Sequence, residues 1–207
     1  MKIGMDRLWN RLWSSKVPEN LQEQWTDKAA LSYINSQMDV ELMRLCLDKV
    51  KGDSKDDTFL QAFLDFQHIA LQPTKIVSAS LEIDFMERYV SLFSQVSAVD
   101  ISIGWTKKVE NPHLSVPRFI LLPLVQNALW QGYHEAERYP MKIKISVFEK
   151  IISLDITNHV NHHIVDQKIS DAMDHYHARL QYEFGDQHTL IMNSNAHTFR
   201  SNLTLRF

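Results

Sequence analysis

The chain has 207 residues, 44% hydrophobic and 23% charged, with a formal net charge of −3. That balance excludes disordered, collagen-like and low-complexity classes, and it lacks the basic excess that general nucleic-acid binding needs. Five glycines, about 2% against a usual value of about 7%, leave little material for a glycine-rich phosphate loop, and neither G-x-G-x-x-G nor G-x-x-x-x-G-K-[ST] occurs.

Residues 5–14 carry Met5, Leu8, Trp9, Leu12 and Trp13 on one helical face, surrounded by Lys2, Arg7, Arg11 and Lys16. Two readings fit this stripe. One is a helix that touches a membrane surface or a partner through Leu8, Trp9, Leu12 and Trp13; the other is a helix docked on its own protein or a twin chain. Pro18 suits the first turn of a second helix. Leu21, Trp25, Ala29, Ile34, Met38, Leu42 and Leu45 then trace one drifting apolar face to about Val50. A polar stretch at 51–57 leads to a third helix with Phe59, Leu60, Phe63, Leu64 and Leu71, stopped before Pro73. Such an antiparallel hairpin covers only part of its apolar surface, so a dimeric four-helix bundle is expected. A fourth helix spans 79–95.

The period then changes. Val99, Ile101, Ile103 and Trp105 alternate with polar residues, as in a strand. After a turn at Asn111-Pro112, Pro117 opens an apolar helix running to Gly132. Strands follow at 142–148 and 151–157, a helix at 167–184 stopped by Gly185, and two closing strands near 188–194 and 199–207. The expected class is α+β: a helical hairpin followed by a two-layer sandwich with helices on one face of a mixed sheet. The expected division is an N-terminal helix at 1–18, a helical dimerisation domain at 19–96 and a sandwich domain at 97–207. Cys46 sits in an apolar helical pattern and reads as a small core residue. No apolar run approaches the roughly 18 residues of a membrane span and no signal-peptide pattern opens the chain, so a cytoplasmic location is expected.

Two segments carry a family resemblance. VPRFILLPLVQNALWQG, residues 116–132, resembles i-P-p-l-l-L-Q-P-L-V-E-N-A-i-k-H-G, with Pro117, Pro123, Leu124, Val125, Asn127, Ala128 and Gly132 in place. Residues 178–205 resemble e-R-L-x-x-x-y-G followed by two closing strands, with Arg179, Leu180, Gly185 and Ser194 in place. Glu82 and Tyr89 stand where the pattern has E-L and a tyrosine seven residues on. Over residues 28–207 the chain resembles the core of LytS-type sensor histidine kinases, whose second half is a GHKL (Bergerat) ATP-binding domain. The resemblance implies a dimerising hairpin, an ATP-binding sandwich and two-component signalling.

The departures from that family fall on its chemistry. The family's phosphoacceptor motif, Q-I-N-P-H-F-L-F-N, reads YINSQMDVE at 33–41, and Gln37 stands at the histidine position. An amide cannot carry a phosphoryl group as imidazole does. Asn127, which the resemblance makes a holder of phosphate-bridged Mg²⁺, is present. Its acidic neighbour is Gln126 and the cationic position near the phosphates is Gln131. A hydrogen bond to a charged group contributes roughly 1.5–3 kcal/mol and a neutral one about 1 kcal/mol, so each amide weakens a phosphate site. The adenine box V-x-D-N-G-x-G reads ITNHVNH at 156–162: Asn158 replaces the aspartate, and Val160 and His162 replace glycines. The lid motif G-x-G-L-x-N reads SDAMDH at 170–175, with Ser170 and Ala172 for its glycines. β-branched or other side chains fit poorly where backbone must approach a ligand or adopt φ > 0.

Ten histidines include His159, His162 and His163, which read as solvated loop residues, and no metal site is expected. His68, in FLDFQHIAL, is the other phosphotransfer candidate. The resulting expectation is a degenerate histidine-kinase-like protein, a pseudokinase without catalytic residues or cofactor. It would form homodimers and contact a response regulator or another kinase. Two alternatives stand beside it: a divergent ATP-binding kinase or ATPase using Asn127 and Asn158, and a phosphotransfer protein using His68.

Overall fold

The computed structural model of the chain describes residues 19–52, 57–98, 100–133, 140–160, 167–195 and 198–207. The amphipathic stripe of Leu8, Trp9, Leu12 and Trp13 lies outside the described residues. Three helices come first: α1 (Glu19–Gln37), α2 (Val40–Gly52) and α3 (Asp57–Ala70). Periodicity alone predicts one helix to Val50, but the chain breaks at Met38-Asp39. The cause is local. Asp39 Oδ1 accepts the Leu42 N–H at 3.0 Å and so caps a new helix, with Glu41 favourably placed in its first turn.

Strand β1 (Ile76–Ser78) leads directly into α4 (Ala79–Val96), whose N-cap Ser78 accepts the Leu81 N–H. α4 turns Ile83, Phe85, Met86, Tyr89, Val90 and Phe93 into the core. The remaining elements are β2 (Ile103–Val109), β3 (Ser115–Pro117), α5 (Leu122–Gln131), β4 (Gly132–Tyr133), β5 (Met141–Val147), β6 (Ile151–Val160), α6 (Gln167–Phe184), β7 (His188–Ser194) and β8 (Thr198–Arg206). β1 and β3 form a separate antiparallel pair. The main sheet runs β2-β5-β6-β8-β7, and β4 adds to β6. Among the described strands of this sheet only β2 and β5 pair in parallel, so the sheet is mixed as expected.

Strand period two decides which face is covered. Met141, Ile143, Ile145 and Val147 of β5 are buried while Lys142 and Lys144 are exposed. On β6 the buried positions are Ile152, Leu154, Ile156 and Asn158, so Asn158 shares the inner face with three aliphatic residues. α5 and α6 supply the opposing apolar layer, including Leu124, Val125, Leu129, Tyr176 and Leu180. One continuous core joins Leu42, Phe63 and Phe85 of the helices to Ile143 and Leu203 of the sheet. α1 packs along α6; its Ala29, Ser32 and Ser36 are buried, while Leu31 and Ile34 are exposed.

Two boundaries differ from the sequence expectation. The strand predicted from Val99 begins at Ile103 and continues to Val109. The helix predicted from Pro117 begins five residues later at Leu122. Residues 118–121 instead form an irregular loop in which Phe119 has φ of 58°. α6 ends as predicted: Gly185 adopts φ of 52° and opens a short 3₁₀ turn at Gly185–Gln187.

Candidate functional site

α5 and α6 meet the α1–α2 junction across an open cleft of about 630 Å³. One wall is α5, with Gln126, Asn127, Trp130 and Gln131. The other is the end of α1 and the start of α2, with Asn35, Ser36, Met38, Asp39 and Glu41. Ala172 and Met173 of α6 close a third side. The fold therefore gathers Gln126, Asn127, Gln131 and Ala172, four of the residues singled out in the sequence. Among its described lining residues, the cleft has two carboxylates and no lysine, arginine or histidine.

Asp39, missed in the sequence, organises this cleft. Its Oδ2 accepts the Trp130 indole N–H at 2.9 Å and the Tyr89 hydroxyl. Trp130 Nε1 also lies 3.2 Å from Tyr89 Oη. Burial, and then the neighbouring Asp39 carboxylate, hold the Tyr89 phenol well above its usual pKa, so it stays a donor. Gln126 Nε2 reaches the Asn35 carbonyl at 3.4 Å. The two walls are thus joined by side chains across the cleft.

The other predicted positions lie elsewhere. Gln37 faces away from the gathered residues and donates its amide to the Ala70 carbonyl at 2.9 Å. His68 is exposed on α3, with Nε2 3.0 Å from Gln72 Nε2. Asn158 is 4% exposed on the inner sheet face. It donates to the His159 carbonyl at 3.1 Å, yet its buried Oδ1 has no partner among the described residues. Val160 is paired with Gly132 in the sheet. Ser170 falls in the first turn of α6 and Ala172 beyond it, where the backbone amide is taken by an intrahelical bond. At Ala172 the segment is helix and not a loop of bare amides.

Among the described residues, the largest concentration of buried charge lies beside α5, at the loop 118–121. Glu82, 1% exposed, accepts the N–H groups of Phe119 at 2.8 Å and Leu121 at 3.0 Å. Arg179, also 1% exposed, donates to the carbonyls of Phe119 at 2.9 Å and Arg118 at 2.5 Å. Tyr176 donates to the Ile120 carbonyl at 2.8 Å. Arg118 donates to the carbonyls of Ile69, Gln72 and Thr74. Burial raises the Glu82 carboxyl above its usual pKa, against the pull of its two backbone donors and the nearby arginines. Burial lowers the Arg179 guanidinium, opposed chiefly by Glu183. The matches of Glu82 and Arg179 to a sequence pattern marked these residues, but not their joint grip on one loop.

Cys46 is fully buried, and burial pushes its thiol up to about 11, which fits an inert core residue. Among the described residues no helix is long and apolar enough to cross a membrane.

No protein-family model and no curated protein matches the chain. Among solved structures, it is similar to the Acinetobacter baumannii histidine kinase AdeS, at 10% identity over 77% of this chain and 81% of that one, with a TM-score of 0.45. It is similar to the histidine kinase domain of the Erythrobacter litoralis blue-light-activated kinase EL346, at 12% identity over 89% and 94%, with a TM-score of 0.44. The histidine kinase of Burkholderia phymatum compares at 8% identity over 89% and 98%, with a TM-score of 0.44. At these identities the site is interpreted from its own residues.

Proposed function

We propose that this chain is a catalytically inactive, histidine-kinase-like signalling protein that acts by contact with a response regulator or a kinase. The observation that carries this reading is the charge of the cleft. A triphosphate needs cations or a metal held by several ligands, and a transferred phosphoryl group needs an acceptor. The described lining supplies Asp39 and Glu41, amides and hydroxyls. Asp39 is already engaged by Leu42, Trp130 and Tyr89. The described lining residues do not fit a bound triphosphate, and no phosphoryl step is assigned to them. Gln37, at the expected acceptor position, is committed to Ala70.

Pairing with a second copy through residues 19–71 belongs to the same proposal. Leu31, Ile34, Val40 and Leu64 leave apolar surface exposed on these helices. Incubating the purified chain with Mg-[γ-³²P]ATP and receiver domains tests the proposal. The expected outcome is no label on this chain, together with binding to one receiver or kinase partner. Label on a histidine of this chain would overturn it.

One observation favours a second reading, a divergent nucleotide binder. The orphaned Oδ1 of Asn158 is a buried acceptor, suited to an exocyclic amine such as that of adenine. A thermal-shift titration with adenosine and Mg-ATP separates the cases. A shift with both, lost in Asn158→Leu, supports this second reading; no shift at millimolar ligand removes it.

A further inference from the structure

We infer that the C-terminal turn of α3 is a shared anchor for both walls of the cleft and couples one to the other. A helix leaves its last four carbonyls without intrahelical donors. In α3 all four are taken. Gln67 C=O accepts the Leu71 N–H at 3.0 Å, and His68 C=O accepts Gln72 Nε2 at 3.4 Å. Ile69 C=O accepts the Gln72 N–H at 3.1 Å and an Arg118 N–H. Ala70 C=O accepts Gln37 Nε2 at 2.9 Å.

The two donors from outside this segment come from opposite walls. Gln37 ends α1, two residues before Asp39. Arg118 begins the loop that enters α5, and it also holds the Gln72 carbonyl at 2.8 Å. Its charge sits at the negative end of the α3 dipole, where a cation is favoured. Unwinding or rotation of this turn removes the Ala70 acceptor of Gln37 and the Ile69 acceptor of Arg118 together. Arg118 keeps the Gln72 and Thr74 carbonyls just beyond the turn, in the segment that the turn leads into. The loop that Arg118 opens is pinned downstream by Glu82, Arg179 and Tyr176, so a displacement there is passed to α5 and not absorbed locally.

The walls also touch directly through Asp39–Trp130 and Asn35–Gln126, and a test must separate the two routes. Hydrogen exchange read by mass spectrometry on the full chain does so. Gln37→Leu is expected to raise exchange about fivefold at residues 119–131, the size of one neutral hydrogen bond, and Arg118→Lys about tenfold or more at 35–42, the size of one bond from a charged group. Both effects persist in a Trp130→Phe, Gln126→Ala background, which lacks the direct route. Effects confined to the mutated wall, or abolished in that background, overturn the coupling. If Arg118→Lys fails to fold, Gln37→Leu, which removes a single bond from a half-buried side chain, decides alone. The outcome is independent of whether the cleft takes nucleotide.

Discussion

The cleft and the loop beside it use ionisable groups in opposite ways. Around residues 118–121, Glu82, Arg118 and Arg179 are buried and hydrogen-bond backbone groups of the described residues. In the cleft, along α5, amides face open space and Asp39 is engaged by neutral donors. The difference teaches that the buried charges around this loop hold backbone shape, whereas the described lining of the cleft offers amides, hydroxyls and two carboxylates. Phe119 at φ of 58° carries a conformation that a non-glycine residue adopts at a cost of roughly 1–2 kcal/mol. Four side chains from α4, α6 and the loop itself offset it.

The largest expected effect breaks the charged side of this contrast. Glu82→Ala leaves two buried N–H groups unpaired beside two arginines, and it should destabilise the fold by roughly 3–5 kcal/mol in urea denaturation. Glu82→Gln is milder and yields a pH test. Because burial raises the Glu82 pKa, its protonation favours the folded state. That contribution is complete below the unfolded value of about 4.3 and is lost as pH rises through the raised folded value. Glu82→Gln should therefore gain stability relative to the parent chain as pH rises from about 4 upward. A difference that is flat with pH would show that Glu82 titrates normally.

On the cleft side, Asp39→Ala removes a helix cap and the acceptor of two buried donors. A loss of about 2–3 kcal/mol is expected, with a change in Trp130 packing visible by NMR of its indole proton. The smallest effect lies far from both regions. Nothing stands within 4 Å of a Cβ added at Gly185, so Gly185→Ala should cost only its backbone strain, about 1 kcal/mol by thermal unfolding. A larger loss would mean that the turn after α6 also supports Arg179 and its loop.

Much of the sandwich was legible because its information is local. β5, β6, α6, β7 and β8 follow from period two, period 3.6 and one glycine, and their observed bounds stay within a few residues of the expected ones. The α1–α2 break was legible in principle, since Asp39 followed by Glu41 is a helix-start signal, but the apolar stripe from Ala29 to Leu45 masked it. The loop 118–121 was not legible. Pro117 and the apolar run after it favour a helix, and what prevents one is a carboxylate 37 residues upstream and a guanidinium 60 residues downstream. Gln126, Asn127, Gln131 and Ala172, of which only Asn127 keeps the family residue, line one cleft. The carboxylates opposite them were not legible, because Asp39 and Glu41 lie in a segment whose place in the family pattern drew attention to Gln37 alone.

The central claim is that this cleft does not hold a nucleoside triphosphate. Isothermal titration of the purified chain with Mg-ATP tests it most directly. The expected result is no saturable heat up to millimolar ligand. A micromolar dissociation constant, weakened by Asn127→Ala, would contradict the claim.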